Sequence, residues 1–280
     1  MLHLIFRGRQ KRGVAFNIAF LVLHNCLPHH STVASQRPHS PPSVSRSVYG
    51  LGLISESEFI AYAETDHVRF VDAMISNYDS HITDYTGTFY RQERSKEKMD
   101  KPQAFEFKFR EQPFSIFMQC VRNPVKVDRL LHVRGQNNGK MIVHPIGLLS
   151  WIRSVEVDIN DDKTVDTDLR QCSQFGIRNL LTLIKACYVS NASSNMPASR
   201  YLGRDRVDGR ECVVIEASFG DSTMPQAKKA ILKVDLGYRL PVSVTTLDSN
   251  DKILSVYEYK NLRFNMSLQD RHFTKEANHL

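Results

Sequence analysis

Nowhere in the 280 residues is there an apolar run of the roughly 20 residues that a membrane-spanning helix needs, which excludes a polytopic membrane protein. The five cysteines, at positions 26, 120, 172, 187 and 212, include no pair at CxxC spacing, which argues against a structural zinc site. Cys120 and Cys212 sit in apolar alternations and read as buried thiols; up to two disulfides among the four cysteines beyond residue 100 are the alternative. A glycine-rich phosphate loop, a dinucleotide fingerprint, a GxSxG elbow and an HExxH helix are all missing. Of the eleven histidines, four lie in the first 34 residues, and His132, His144 and His272 are scattered along strands and surface. No enzyme, catalytic residue, metal site or cofactor is therefore expected. The 41% hydrophobic share is ordinary for a globular chain and excludes a wholly disordered one.

Acidic residues are absent from residues 1–34, which hold Arg7, Arg9, Lys11 and Arg12 ahead of the apolar run from Gly13 to Leu23. Basic head, short apolar middle and a small-residue exit at Thr32-Val33-Ala34 predict a secretory signal over 1–34. Residues 35–54, rich in Pro and Ser, read as a flexible leader, and 55–280 as a single β-rich domain. The expected address is outside the cytoplasm, in a periplasm or cell envelope. The net charge of +7 then changes meaning. Removing the four basic residues of the head from 37 leaves 33 Lys and Arg against 30 Asp and Glu. Elsewhere the charges are mixed: Arg91, Arg94, Lys96, Lys98 and Lys101 alternate with Glu93, Glu97 and Asp100, the pattern of a solvated loop, not a phosphate stripe. No nucleic-acid partner is expected. The acidic run from Asp158 to Asp168 lacks the turn glycine and terminal Glu of a calcium loop and reads as a solvated loop.

Periodicity organises the remainder. Val71, Met74, Ile75 and Tyr78 recur at helical spacing and predict an amphipathic helix over 64–81, with Thr65 or Asp66 as its cap. Phe105, Phe107 and Phe109 alternate with Glu106, Lys108 and Arg110, a half-buried antiparallel strand. A second strand follows with Phe114, Ile116, Met118 and Cys120 on one face, and Asn138-Gly139 favours a tight turn between 130–134 and 140–144. Ile177, Leu180, Leu181, Ile184 and Tyr188 mark a second helix. Strands are then expected at 201–207, 212–219, 230–234, 240–247 and 253–262. Nine or ten strands with two substantial helices predict a β-rich α+β fold whose antiparallel sheet curls over the helices.

Several of these segments resemble, in order, an uncharacterised domain family from planctomycete bacteria. They are Tyr85-Thr-Gly-Thr-Phe89, Phe107-Lys-Phe-Arg110 with Pro113 to Met118, Gly135 to Met141, Asp208 to Glu216, and Tyr257-Glu-Tyr259 with Asn261-Leu262. The resemblance spans about 60–275, departing where Val127 replaces a turn glycine and His132 a strand tyrosine. It implies an exported protein without established activity. The strand order is also similar to the lipoprotein-carrier fold, an open half-barrel closed by helices around an apolar cavity. On that analogy Phe105, Phe107, Phe109, Ile116 and Met118 are the candidate cavity lining, chosen by their alternation; an ordinary packed core is the competing reading. The implied partner is a lipid or an acylated protein, with peripheral membrane contact and a monomeric chain. The alternative is an envelope interaction module whose core is filled by its own side chains.

Overall fold

A computed structural model describes residues 54–95, 97–158, 175–189, 198–219 and 227–280. The segments 1–34 and 35–53, most of the acidic run, Cys26 and Cys172 lie outside them.

The first helical stretch is two helices, not one. α1 (Glu56–Thr65) is capped by Ser55, whose hydroxyl accepts from the Glu58 amide at 3.1 Å. Asp66 then leaves helical geometry, with φ −142° and ψ 81°. Its amide donates back to the Tyr62 carbonyl at 2.9 Å, while its carboxylate accepts from the Arg69 amide at 3.0 Å. One residue thus ends α1 and starts α2 (His67–His81), as its side-chain chemistry predicts. α1 was hidden because its apolar face is thin: only Phe59 and Ala63 are buried. α2 buries Phe70, Val71, Met74 and Tyr78: three of the expected stripe together with Phe70, while Ile75 is half-buried against the same core. α3 (Ile177–Val189) matches the helix read from periodicity.

Among the described residues there are twelve strands, all in one open antiparallel sheet. They are β1 (Asp84–Ser95), β2 (Lys98–Met99), β3 (Gln103–Arg110), β4 (Ser115–Arg122), β5 (Val127–Val133) and β6 (Met141–Pro145). β7 (Val155–Val157), β8 (Ala198–Val207), β9 (Arg210–Ser218), β10 (Lys229–Asp235), β11 (Leu240–Leu247) and β12 (Ile253–Phe264) complete it. The spatial order is β7-β6-β5-β4-β3-β1-β12-β11-β10-β9-β8, with β2 hanging on β1. The sheet is curved and unclosed, and with three α-helices among the described residues the fold is β-rich α+β.

Two findings differ from the sequence reading. Arg91 to Ser95, expected in a solvated loop, continue β1, the strand that joins the two halves of the sheet. Their charges are satisfied rather than solvated: Arg91 donates to Gln103 and stacks over Phe105, and the Tyr257 hydroxyl donates to Glu93 at 2.5 Å. The second concerns the charged face of β3. It is covered by the chain after β12, where Phe273 and Leu280 pack with Phe117, Leu131, Val133 and Ile142 into a second apolar cluster. Lys108 Nζ donates to Asn278 at 2.9 Å, and Arg110 lies over the Phe273 ring while paired with Asp270 at 2.7 Å. β4 is therefore buried on both faces.

β1 and β12, separated by some of the longest stretches of chain, lie side by side because Gly87 has no side chain. A Cβ there would sit 3.0 Å from the Lys260 carbonyl oxygen and 3.2 Å from the Phe107 ring. A bulge at Gly87 shifts the register between Thr86 and Thr88.

Candidate ligand-binding face

Strand register decides which side chains share the helix-facing side of the sheet. β1 and β3 pair Tyr85 with Phe109, Gly87 with Phe107 and Phe89 with Phe105. β3 and β4 pair Phe105 with Cys120, Phe107 with Met118 and Phe109 with Ile116. Because side chains alternate with period two, all five candidate residues lie on that one face. Phe107, Phe109, Ile116 and Met118 are exposed by 5% or less, and Phe105 is half-buried against the same core.

The face is more aromatic than those five residues. Tyr85 and Phe89 from β1, and Tyr257 and Tyr259 from β12, extend it across the sheet; the Phe89 and Tyr257 rings stack with centroids 6.0 Å apart. Phe175, just ahead of α3, lies on top of the strip with centroids 5.1 Å from Phe107, 5.4 Å from Phe89, 5.8 Å from Tyr259 and 5.9 Å from Phe109. Gly176 beside it has φ +122° and passes so near the sheet that a Cβ would be 2.9 Å from the Phe109 ring. Phe175 and Gly176 thus form a roof over the strip. The Tyr257/Tyr259 alternation is visible in the sequence; Phe175 has no periodic signal and could be placed only by tertiary structure.

One buried hydroxyl fastens that roof. Tyr85, with no exposed surface, accepts at its Oη from the Ile177 amide at 2.8 Å, capturing a donor at the head of α3 that has no partner within the helix. Tyr78 of α2 packs edge-on to Tyr85 and donates to Glu111. Burial raises the Glu111 carboxyl above its ordinary range, opposed by the Tyr78 hydroxyl that bonds it. Burial also drives both tyrosines upward, so both hydroxyls stay protonated.

Four apolar residues lie towards the end of the sheet where β4 turns into β5 and β6 into β7. Phe89, Phe105, Val127 and Val155 all pack against the main core yet remain half-buried. That leaves an apolar margin to the strip.

Residues 82–279 match the family described as proteins of unknown function, DUF1571. The chain belongs to that family. The DUF1571 match contains the whole sheet, α3 and the segment after β12, whereas α1 and α2 precede it. No curated protein matches the sequence. Among solved structures the fold is similar to MucB, at 14% identity over 75% of this chain and 63% of that one, with a TM-score of 0.48. The chain therefore spans less than two thirds of MucB. The Pseudomonas aeruginosa MucA/MucB complex gives 14% identity, coverage of 80% and 62%, and a TM-score of 0.43. Lipoprotein LppX of Mycobacterium tuberculosis gives 11%, coverage of 74% and 99%, and 0.41.

Among the described residues no group of three His, Cys, Asp or Glu is placed to hold a metal ion. Cys120, Cys187 and Cys212 are buried thiols, with burial raising Cys187 and Cys212 to about 11. His144 Nδ1 lies 2.5 Å from Asp128, a pairing across β5 and β6 that the sequence did not reveal; its other nitrogen faces the Ser150 backbone carbonyl at 3.3 Å, not a nucleophile. His132 is buried beside Phe114, and burial lowers its pKa.

Proposed function

We propose that this protein is an exported, non-enzymatic envelope protein that binds an apolar chain of a lipid or an acylated protein on the helix-facing side of its sheet. The single observation carrying this reading is the aromatic and aliphatic strip under Phe175 whose margin, at Phe89, Phe105, Val127 and Val155, is only half covered. Unfinished cover over apolar surface is where an acyl chain gains about 0.8 kcal/mol per buried CH₂. The strip's centre is shut by Phe175, so entry requires the head of α3 to lift while the margin offers the first contact. The basic head and short apolar run at the N-terminus support export.

A self-filled interaction module is the second reading, and one observation favours it: Phe107, Phe109 and Ile116 are already almost wholly covered by the protein's own side chains. A fluorescent fatty acid separates the two. Under the proposal it binds saturably, is displaced by unlabelled phospholipid, and binds more weakly to Phe105→Ser and Val155→Ser, at two margin positions. Binding unaffected by both substitutions, or none at all, would support the module.

A further inference from the structure

Apolar side chains are also exposed on the connections at this end of the sheet. Leu148 is 97% exposed, Trp151 79% and Val125 65%. They stand on the β6–β7 and β4–β5 connections, which are tied to each other by the Ile146 amide donating to the Lys126 carbonyl at 3.0 Å. The longer connection is ordered. Gly147 takes φ +74°, the Ser150 amide donates to Gly147 at 3.1 Å and the Ile152 amide to Leu149 at 2.9 Å. His144, paired with Asp128, faces the Ser150 carbonyl from below. A backbone so fastened keeps Leu148 and Trp151 in water instead of letting them fold back.

The two connections themselves carry charge of one sign; the nearest acidic groups, Asp128 and Glu156, stand on β5 and β7 and are paired with His144 and Lys140. Residues 121–127 and 145–155 contain Arg122, Lys126 and Arg153, all exposed, and no Asp or Glu. Elsewhere in the folded part acidic and basic residues are nearly balanced. Tryptophan and leucine at a loop tip, with Arg122, Lys126 and Arg153 exposed on the same two connections, fit the acyl boundary and anionic headgroups of a bilayer surface.

We infer that the β4–β5 and β6–β7 connections dock the protein on an anionic membrane surface, with Leu148 and Trp151 entering the interface and Arg122, Lys126 and Arg153 contacting headgroups. The same end of the sheet carries the half-covered margin of the strip, so docking faces that margin towards lipid. The docking surface stands on its own residues and does not require that the strip bind a ligand.

Trp151 is the only tryptophan of the chain and reports on its own insertion. The full-length protein is mixed with vesicles of phosphatidylcholine and phosphatidylglycerol in equal parts, and with phosphatidylcholine alone. On the anionic vesicles Trp151 emission shifts to the blue and is quenched by brominated acyl chains. Leu148→Ser, which keeps the reporter, weakens binding about tenfold, the loss of one buried leucine. Arg153→Glu weakens it about fivefold or more on anionic vesicles only. Co-sedimentation with unchanged Trp151 emission would place the contact elsewhere, such as the basic N-terminal segment, and overturn the proposal. Emission already blue-shifted without lipid would overturn it in favour of another segment or a second copy covering the patch. Failure of the fatty-acid titration with Trp151 insertion intact would refute the strip reading and leave this one standing.

Discussion

Tyr85→Phe removes one oxygen from the centre of the protein and isolates what fastens α3 to the sheet. The ring keeps its neighbours, with centroids 4.9 Å from Phe109, 5.5 Å from Phe264 and 5.7 Å from Phe107, so packing is unchanged. What is lost is the acceptor for the Ile177 amide at 2.8 Å, and Ile177 has no exposed surface through which water could replace it. A buried donor left without a partner costs about 1–3 kcal/mol, more than the net worth of an ordinary hydrogen bond. Urea unfolding should therefore show an unchanged slope and a midpoint lowered by that free energy divided by the slope. Amide exchange adds the location: protection in the first turn of α3 falls while protection in β3 and β4 follows only the global loss. Stability within about 0.5 kcal/mol of wild type, where surface substitutions fall, would refute the claim that Tyr85 anchors the roof.

Gly176→Ala should destabilise by about 2–4 kcal/mol in the same assay, because a Cβ must adopt positive φ and meet the buried Phe109 ring. An effect below about 1 kcal/mol would mean that the roof does not lie tightly on the strip. His132→Phe should flatten the acid side of the stability profile. Burial holds the folded pKa of His132 below its ordinary 6.5, so the unfolded chain binds a proton that the native state refuses; the stability present above that value is lost as pH falls. Between pH 6.5 and about 5 the variant should lose less stability than wild type, with the remaining slope coming in part from His67, whose pKa burial also lowers; equal slopes would contradict the assignment. Asp235→Asn breaks a buried carboxylate held by Arg210 at 2.5 and 2.8 Å and by the Tyr238 amide at 2.6 Å, and should cost about 3 kcal/mol or more in thermal or urea unfolding.

Much of the fold was legible because half-buried strands write their burial directly into the chain. β11 has the bounds that alternation assigns, and β9, β10 and β12 differ by one or two residues at their ends. Alternation alone puts Phe105, Phe107 and Phe109 on one face of β3 and Ile116 and Met118 on one face of β4; the register of the pair makes the two faces one. β1 was obscured by its composition. Arg91, Glu93 and Arg94 look solvated until Gln103, Tyr257 and the Ile253 carbonyl supply partners from distant strands. The both-faced burial of β4 depends on Phe273 and Leu280 folding back across the outer side, a contact between segments 150 residues apart that no local pattern encodes. Phe175 is invisible for the same reason: a single aromatic ahead of a helix has no period. The exposed tip at Leu148 and Trp151 reads in sequence as ordinary apolar chain, and only the fastened backbone shows that it points into water.

The most direct test of the apolar-ligand account is native mass spectrometry of the full-length protein, extracted gently and again after incubation with phospholipid vesicles. The account predicts an added mass that fragments to an acyl lipid and is reduced by Phe105→Ser. A bare protein mass under both conditions, with the fold intact, would contradict it.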